Sequence, residues 1–170
     1  MKTDLRFAIC AAAALMFAAC SPQAASEPSP SASTTSEAEE AAVHPVSGLP
    51  VIPVTLMLAS GAHVIDAELA SSDQEKARGL MFRTEMGADE GMLFDYTDKP
   101  HVLSFWMKNT VIPLDIIFID ADRRVINVAA NAVPYSQTPV MADGMGIAVL
   151  ELNGGRAAEL GIEPGTQLDW

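Results

Sequence analysis

Cysteine is almost absent from this chain, with two residues in 170, Cys10 and Cys20. So few thiols exclude a disulfide framework of the kind that holds small secreted domains together. Positive charge is also scarce, 10 Lys and Arg against 22 Asp and Glu. From Leu49 onward the balance is 8 against 17, a formal charge of −9, which repels phosphate backbones and argues against a nucleic-acid partner. Aromatics make up 6% of residues. The longest apolar run, residues 7–19, has 13 residues and is too short for a membrane-spanning helix. No Gly-x-Ser-x-Gly elbow, His-Glu-x-x-His pair, phosphate loop or dinucleotide fingerprint occurs, so the common signatures of hydrolases, zinc proteases and nucleotide enzymes are missing. Nor is there an internal repeat of solenoid length.

What is present begins with a leader. Lys2 and Arg6 precede the apolar run, the pattern of a signal peptide. The run ends in Phe17-Ala18-Ala19-Cys20, which resembles the bacterial lipobox, with Phe17 in place of the usual aliphatic residue. The resemblance implies a signal peptide over 1–19, cleavage before Cys20 and acylation of Cys20 by more than one chain, enough for stable attachment to a membrane. Ser21 after the cysteine resembles the outer-membrane class of such lipoproteins, with the protein facing the periplasm. An ordinary secretory signal cut nearby would instead leave Cys20 as a free thiol. Residues 20–48 are Ser, Pro, Ala and Glu with few large apolar side chains, too polar to offset their ordering entropy, and are expected to form a disordered tether that includes His44.

Residues 49–170 are expected to form one domain, large enough to bury a core without staples. Short apolar runs at 54–58, 63–70, 91–94, 101–107, 114–120, 124–130 and 146–152 have strand length. Turn chemistry separates them at Ser60-Gly61, Asp98-Lys99-Pro100, Asp120-Ala121-Asp122 and Asp143-Gly144. Two short helices interrupt: Ser72 with Glu75 reads as a capping box opening a helix that stops near Gly79, and residues 155–160 form a second closed by Gly161. Runs that are apolar on both faces favour a packed sandwich or barrel over an open sheet. The fold class is mainly β with one or two short helices.

Five spaced motifs go further: Arg78-Gly79-Leu80-Met81-Phe82-Arg83, Gly91-Met92-Leu93-Phe94, Phe105-Trp106-Met107-Lys108-Asn109-Thr110, Pro113-Leu114-Asp115-Ile116 and Val149-Leu150-Glu151-Leu152. In this order, between Ala67 and Gln167, they resemble the domain of unknown function 192 family. The resemblance implies a jelly-roll-like or barrel-like β-sandwich and brings no established activity, substrate or cofactor.

Asp115 and Glu151 both fall within apolar strands, and buried acids need partners. The motif set supplies positive charge at Arg78, Arg83 and Lys108. One polar cluster of Arg83, Lys108, Asn109, Thr110, Asp115 and Glu151 is therefore expected, with Trp106 next to Lys108 on one strand face. The cluster can be structural, or it can line a concavity where Trp106 forms a wall and Arg83 or Lys108 grips an anionic or sugar-like group. The expected class is a small-molecule or glycan binding or accessory module of the cell envelope, whose ligand can also be an envelope protein. A hydrolase using Asp115 and Glu151 as acid and base is the alternative. No cofactor or metal is expected. The methionines are read as core packing rather than cuprous ligands, Asp120 and Asp122 as a hairpin turn rather than a calcium loop, and residues 158–165 as a helix stop and turn.

Overall fold

The structure, a computed structural model, describes residues 42–170. The leader, Cys20 and most of the expected tether lie outside them. The order is β1 (Val51–Leu58), β2 (Gly61–Ala70), α1 (Asp73–Arg78), β3 (Glu90–Asp95), β4 (His101–Phe105), β5 (Leu114–Ile119), β6 (Val125–Ala132), β7 (Val140–Gly146), β8 (Ala148–Asn153), α2 (Arg156–Leu160) and β9 (Gln167–Asp169). Seven strands form one curled half-barrel sheet in the order β6-β5-β8-β3-β2-β1-β9, and β4 pairs with β7 in a small second sheet. The mainly β, barrel-like sandwich expected from the sequence is what forms. All pairings are antiparallel except β2 with β3, which is parallel because α1 carries the chain back across the sheet.

Side-chain alternation splits the core in two. On one face Leu93, Ile117, Ile119, Leu150 and Leu152 pack with Ala157 of α2 and Leu168 of β9. On the other, Met92, Phe94, Ile116, Phe118 and Val149 pack with Leu103 of β4, Ala142 of β7 and Leu80 after α1. Every residue of β5 is buried, which is why its sequence is apolar in both phases.

The local signals act as expected at both helices. The Ser72 side chain accepts from Glu75 N at 3.3 Å and the Glu75 carboxylate accepts from Ser72 N at 2.8 Å, the reciprocal capping box. Gly79 ends α1 at φ 47, where a Cβ would lie 3.1 Å from the Phe94 ring. Gly161 closes α2 in the left-handed region. In the β5–β6 turn the Asp120 carboxylate accepts from Asp122 N and Arg124 N, each at 2.9 Å, which occupies it in the hairpin.

Three expectations differ from the structure. Asp143-Gly144, read as a turn, lies within β7, because Asn127 of β6 accepts from Asp143 N at 3.1 Å and donates to Met141 O at 3.0 Å, holding the segment extended. The run at 101–107 leaves the sheet after Phe105, and Asn109 turns at φ 57. Residues 42–48, expected in the tether, form a closed turn: Val43 bridges Pro50, and His44 exchanges backbone hydrogen bonds of 2.8 Å with Leu49 and Gly48.

Gly91 sits where β3 meets β8, and a Cβ there would approach Glu151 O to 2.7 Å and Leu152 Cδ2 to 2.9 Å. The Leu152 methyl can turn aside, but the Glu151 carbonyl can retreat only by moving a central strand. Gly91→Ala is expected to destabilise the domain by about 1–3 kcal/mol, seen as a lower midpoint in chemical denaturation; an unchanged midpoint would contradict this packing.

Candidate functional site

The six residues expected to form one polar cluster are divided among separate places. Arg83 lies beside Glu68 of β2, a residue not singled out from the sequence. Its Nη2 contacts both carboxylate oxygens, at 2.8 and 3.0 Å, a charge-assisted contact from one nitrogen to a residue that is 3% exposed. His44, expected to be solvated, closes the group, with Nδ1 3.6 Å from Glu68 and Nε2 3.5 Å from Arg83. Glu68 is in phase with exposed Val64 and Asp66, so alternation assigns it to solvent; residues 42–50, folding back, cover it. The hollow beside this group, lined by His44, Val46, Phe82 and Glu90 among others, is open, and its one arginine is committed to Glu68.

Asp115 is fully buried, on the opposite face of the sheet from Glu151. The register pairs Asp115 with Leu152 and Ile116 with Glu151, and directly opposed residues share a face. The Asp115 carboxylate accepts from Asn131 N at 2.8 Å, Gly155 N at 3.0 Å and Ala157 N at 2.7 Å. It thereby satisfies the first turn of α2 and a bend in β6. The paired-carboxylate hydrolase expected as an alternative is overturned by this register: a two-carboxylate mechanism needs both groups flanking one bond, and a sheet separates these two.

The remaining residues meet at a cleft of about 150 Å³ between the end of α1, β3, β4 and the loop after β4. Arg78, Trp106, Lys108, Thr110 and Glu151 all line it, joined by Lys76 and Tyr96, which sequence reasoning passed over. Lys76 was recoverable, because the capping box fixes α1 and places it two residues before Arg78. Asn109 lies beside the cleft rather than in it. Its Nδ2 approaches Met81 Sδ at 3.8 Å and its carbonyl accepts from Phe82 N at 2.8 Å, so it shapes the loop that carries Lys108 and Thr110.

The back of the cleft is rigid. Phe105 packs edge-on to Phe94 at 4.9 Å, to Phe118 at 6.1 Å and to Tyr96 at 6.4 Å between ring centroids. Lys76 Nζ lies 4.5 Å from the centre of the Tyr96 ring and donates to Asp95 O at 2.8 Å. Lys108 Nζ lies 5.5 Å from the centre of the Trp106 ring, whose residue is 51% exposed. At the base sits Glu151, 4% exposed, with Met92 and Ile116 as its cross-strand neighbours. No described group donates to its carboxyl, and burial alone pushes it up to about 8. It is therefore a neutral acid at pH 7, offering one O–H and one carbonyl oxygen to the cleft. Burial, with the Glu151 and Asp73 charges adding to it, also pushes the Tyr96 hydroxyl up.

Among the described residues no three His, Cys, Asp or Glu side chains gather as a metal site. Met92 and Met107 are buried in the core and Met86 packs against it, while Met141 and Met145 are exposed.

The family model DUF192, described as an uncharacterized ACR, matches residues 55–170. A crystal structure of a protein of unknown function from Novosphingobium aromaticivorans is 59% identical, with a TM-score of 0.75 over 79% of this chain and 95% of that one. A Sinorhizobium meliloti protein, described as a candidate transcription regulator, is 38% identical, with a TM-score of 0.68 over 71% of this chain and 94% of that one. No curated protein matches the chain.

Glu151 ties stability to pH. Its carboxyl ionises near its ordinary 4.5 in the unfolded chain and at about 8 in the folded one, so its favourable share is complete below 4.5 and declines as pH rises to 8. The slope within that window is up to about 1.4 kcal/mol per pH unit. Glu151→Gln is expected to remove this slope, so that denaturation midpoints of variant and parent diverge steadily from pH 5 to 8 in the variant's favour. Parallel curves would show that Glu151 is ionised in the native state.

Proposed function

The chain belongs to the DUF192 family, and we propose that it is a binding module of the bacterial cell envelope whose cleft takes a small hydroxylated molecule, a sugar or the end of a glycan. The observation that carries this reading is Glu151: a carboxyl, 4% exposed, opening on a cleft, with no described donor. Among the described residues no fully buried side-chain oxygen lacks a partner, so the unpartnered Glu151 carboxyl keeps an edge open to the cleft. A hydroxyl inserted beside it would both donate and accept. Trp106, half exposed at the rim, offers a flat apolar face of the kind that sugar C–H groups pack against. A volume of about 150 Å³ is below the roughly 300–1,000 Å³ of pockets for drug-sized ligands, which restricts the occupant to something small.

The cleft has one carboxyl, and no cysteine or serine–histidine pair lines it, which favours binding over catalysis. A nucleic-acid role, as the description of the Sinorhizobium meliloti relative would have it, is disfavoured here by the −9 charge of residues 49–170. The envelope location rests on the leader, on Cys20 as the acylated residue and on Ser21 for the outer membrane.

Two measurements test this reading. Glucose, galactose and N-acetylglucosamine, with their short oligomers, are titrated into the purified protein. At least one should raise the melting temperature, and Trp106→Ala should weaken its binding by about tenfold, the order of one lost aromatic stacking contact. Absence of any shift across the panel at millimolar sugar would overturn the cleft as a glycan site. Separately, radiolabelled palmitate should enter the parent protein and not Cys20→Ala, and the variant should leave the membrane fraction; an unlabelled parent would remove the lipid anchor.

A further inference from the structure

The folded part is acidic, yet its cations are unevenly spent. Residues 49–170 contain eight Lys and Arg. Three of them, Arg83, Arg123 and Arg156, form ion pairs with carboxylates. Of the other five, Lys76, Arg78 and Lys108 all line the one cleft, and no described carboxylate pairs with them. Glu151, the acid at the base of the same cleft, is held neutral at pH 7 by burial. Three cations without a carboxylate around a single hollow leave a local positive field. Lys76 is partly occupied by Asp95 O and the Tyr96 ring. Arg78 and Lys108 keep their donors for a visitor.

From this we infer that the ligand is an anionic sugar, a hydroxylated ring whose carboxylate is held by Arg78 and Lys108 while a ring hydroxyl meets Glu151. This rests on the glycan reading of the same cleft and adds the charge of its occupant. A carboxylate matches the planar fork of Arg78, and with Glu151 protonated no negative charge at the base opposes it. Lys108, whose ammonium lies 5.5 Å from the centre of the Trp106 ring, swings to the acid group and so leaves the Trp106 face to pack against the sugar ring.

The test compares sugars that differ only at one position: glucuronate against glucose, galacturonate against galactose, with glucose 6-phosphate as a second anion, all titrated by calorimetry at low salt. The uronates are expected to bind more tightly than their neutral partners by about tenfold or more, the scale of one charge-assisted hydrogen bond, with the advantage shrinking as salt is added. In the double variant Arg78→Gln, Lys108→Gln the ratio of acid to neutral-sugar affinity should fall to about one, and a ratio unchanged from the parent would overturn the assignment. Equal binding of acid and neutral sugar would overturn the anion assignment and leave the glycan reading standing. Tighter binding of the phosphate would overturn the choice of carboxylate. If no sugar of either kind binds, both readings fall together.

Discussion

A strand covered on both sides has no solvent to lend its polar side chains. That constraint governs the middle of this domain, where β5 and β8 are flanked by packed cores on each face of the sheet. Each carboxyl group buried in the sheet has to be reconciled with dry surroundings by local means. Three arise, and each is resolved differently. Asp115 is surrounded by backbone N–H groups that would otherwise be unsatisfied themselves. Glu68 is matched by the guanidinium of Arg83. Glu151 has neither and holds its proton instead.

That difference separates architecture from candidate chemistry. Asp115 and Glu68 sit in closed arrangements where every strong acceptor is answered from within the chain. Removing either would expose the fold to a cost without freeing a site. Glu151 alone faces a hollow. Behind it four aromatic rings, Phe94, Tyr96, Phe105 and Phe118, pack edge to face through Phe105, so the wall of the cleft is formed by packing within the chain. Preformed shape of this sort is what a binding site needs if little ordering energy is to be spent on capture.

Much of the architecture was legible because its signals are local. Both phases of β5 and β8 are apolar, the Ser72–Glu75 box opens α1, and Gly161 closes α2; none of these needs knowledge of distant residues. What could not be read was pairing. Alternation places Asp115 and Glu151 correctly within their own strands, but whether 151 lies opposite 115 or 116 is a matter of register, and one residue decides which face a side chain takes. The offset observed sends the two acids to opposite cores. Glu68 was missed for a related reason: its cover comes from residues 42–50, whose composition reads as linker. Asp143-Gly144 misled because Asn127, sixteen residues earlier, supplies the hydrogen bonds that keep it extended. Of the residues drawn from the family motifs, Arg78, Trp106, Lys108, Thr110 and Glu151 line one cleft, while Arg83 and Asp115 serve the frame.

The folded-back turn at residues 42–50 has a mechanical meaning. Any pull on the chain from its amino-terminal side enters the domain through the Val43–Pro50 bridge and the His44–Arg83–Glu68 group, two strands along the same sheet face from Glu151, with Met92 between them. Unfastening that turn would pay out roughly 20 Å of slack at 3.3–3.6 Å per residue before β1 felt the load. The segment can thus give length under strain before the strands of the sheet are loaded.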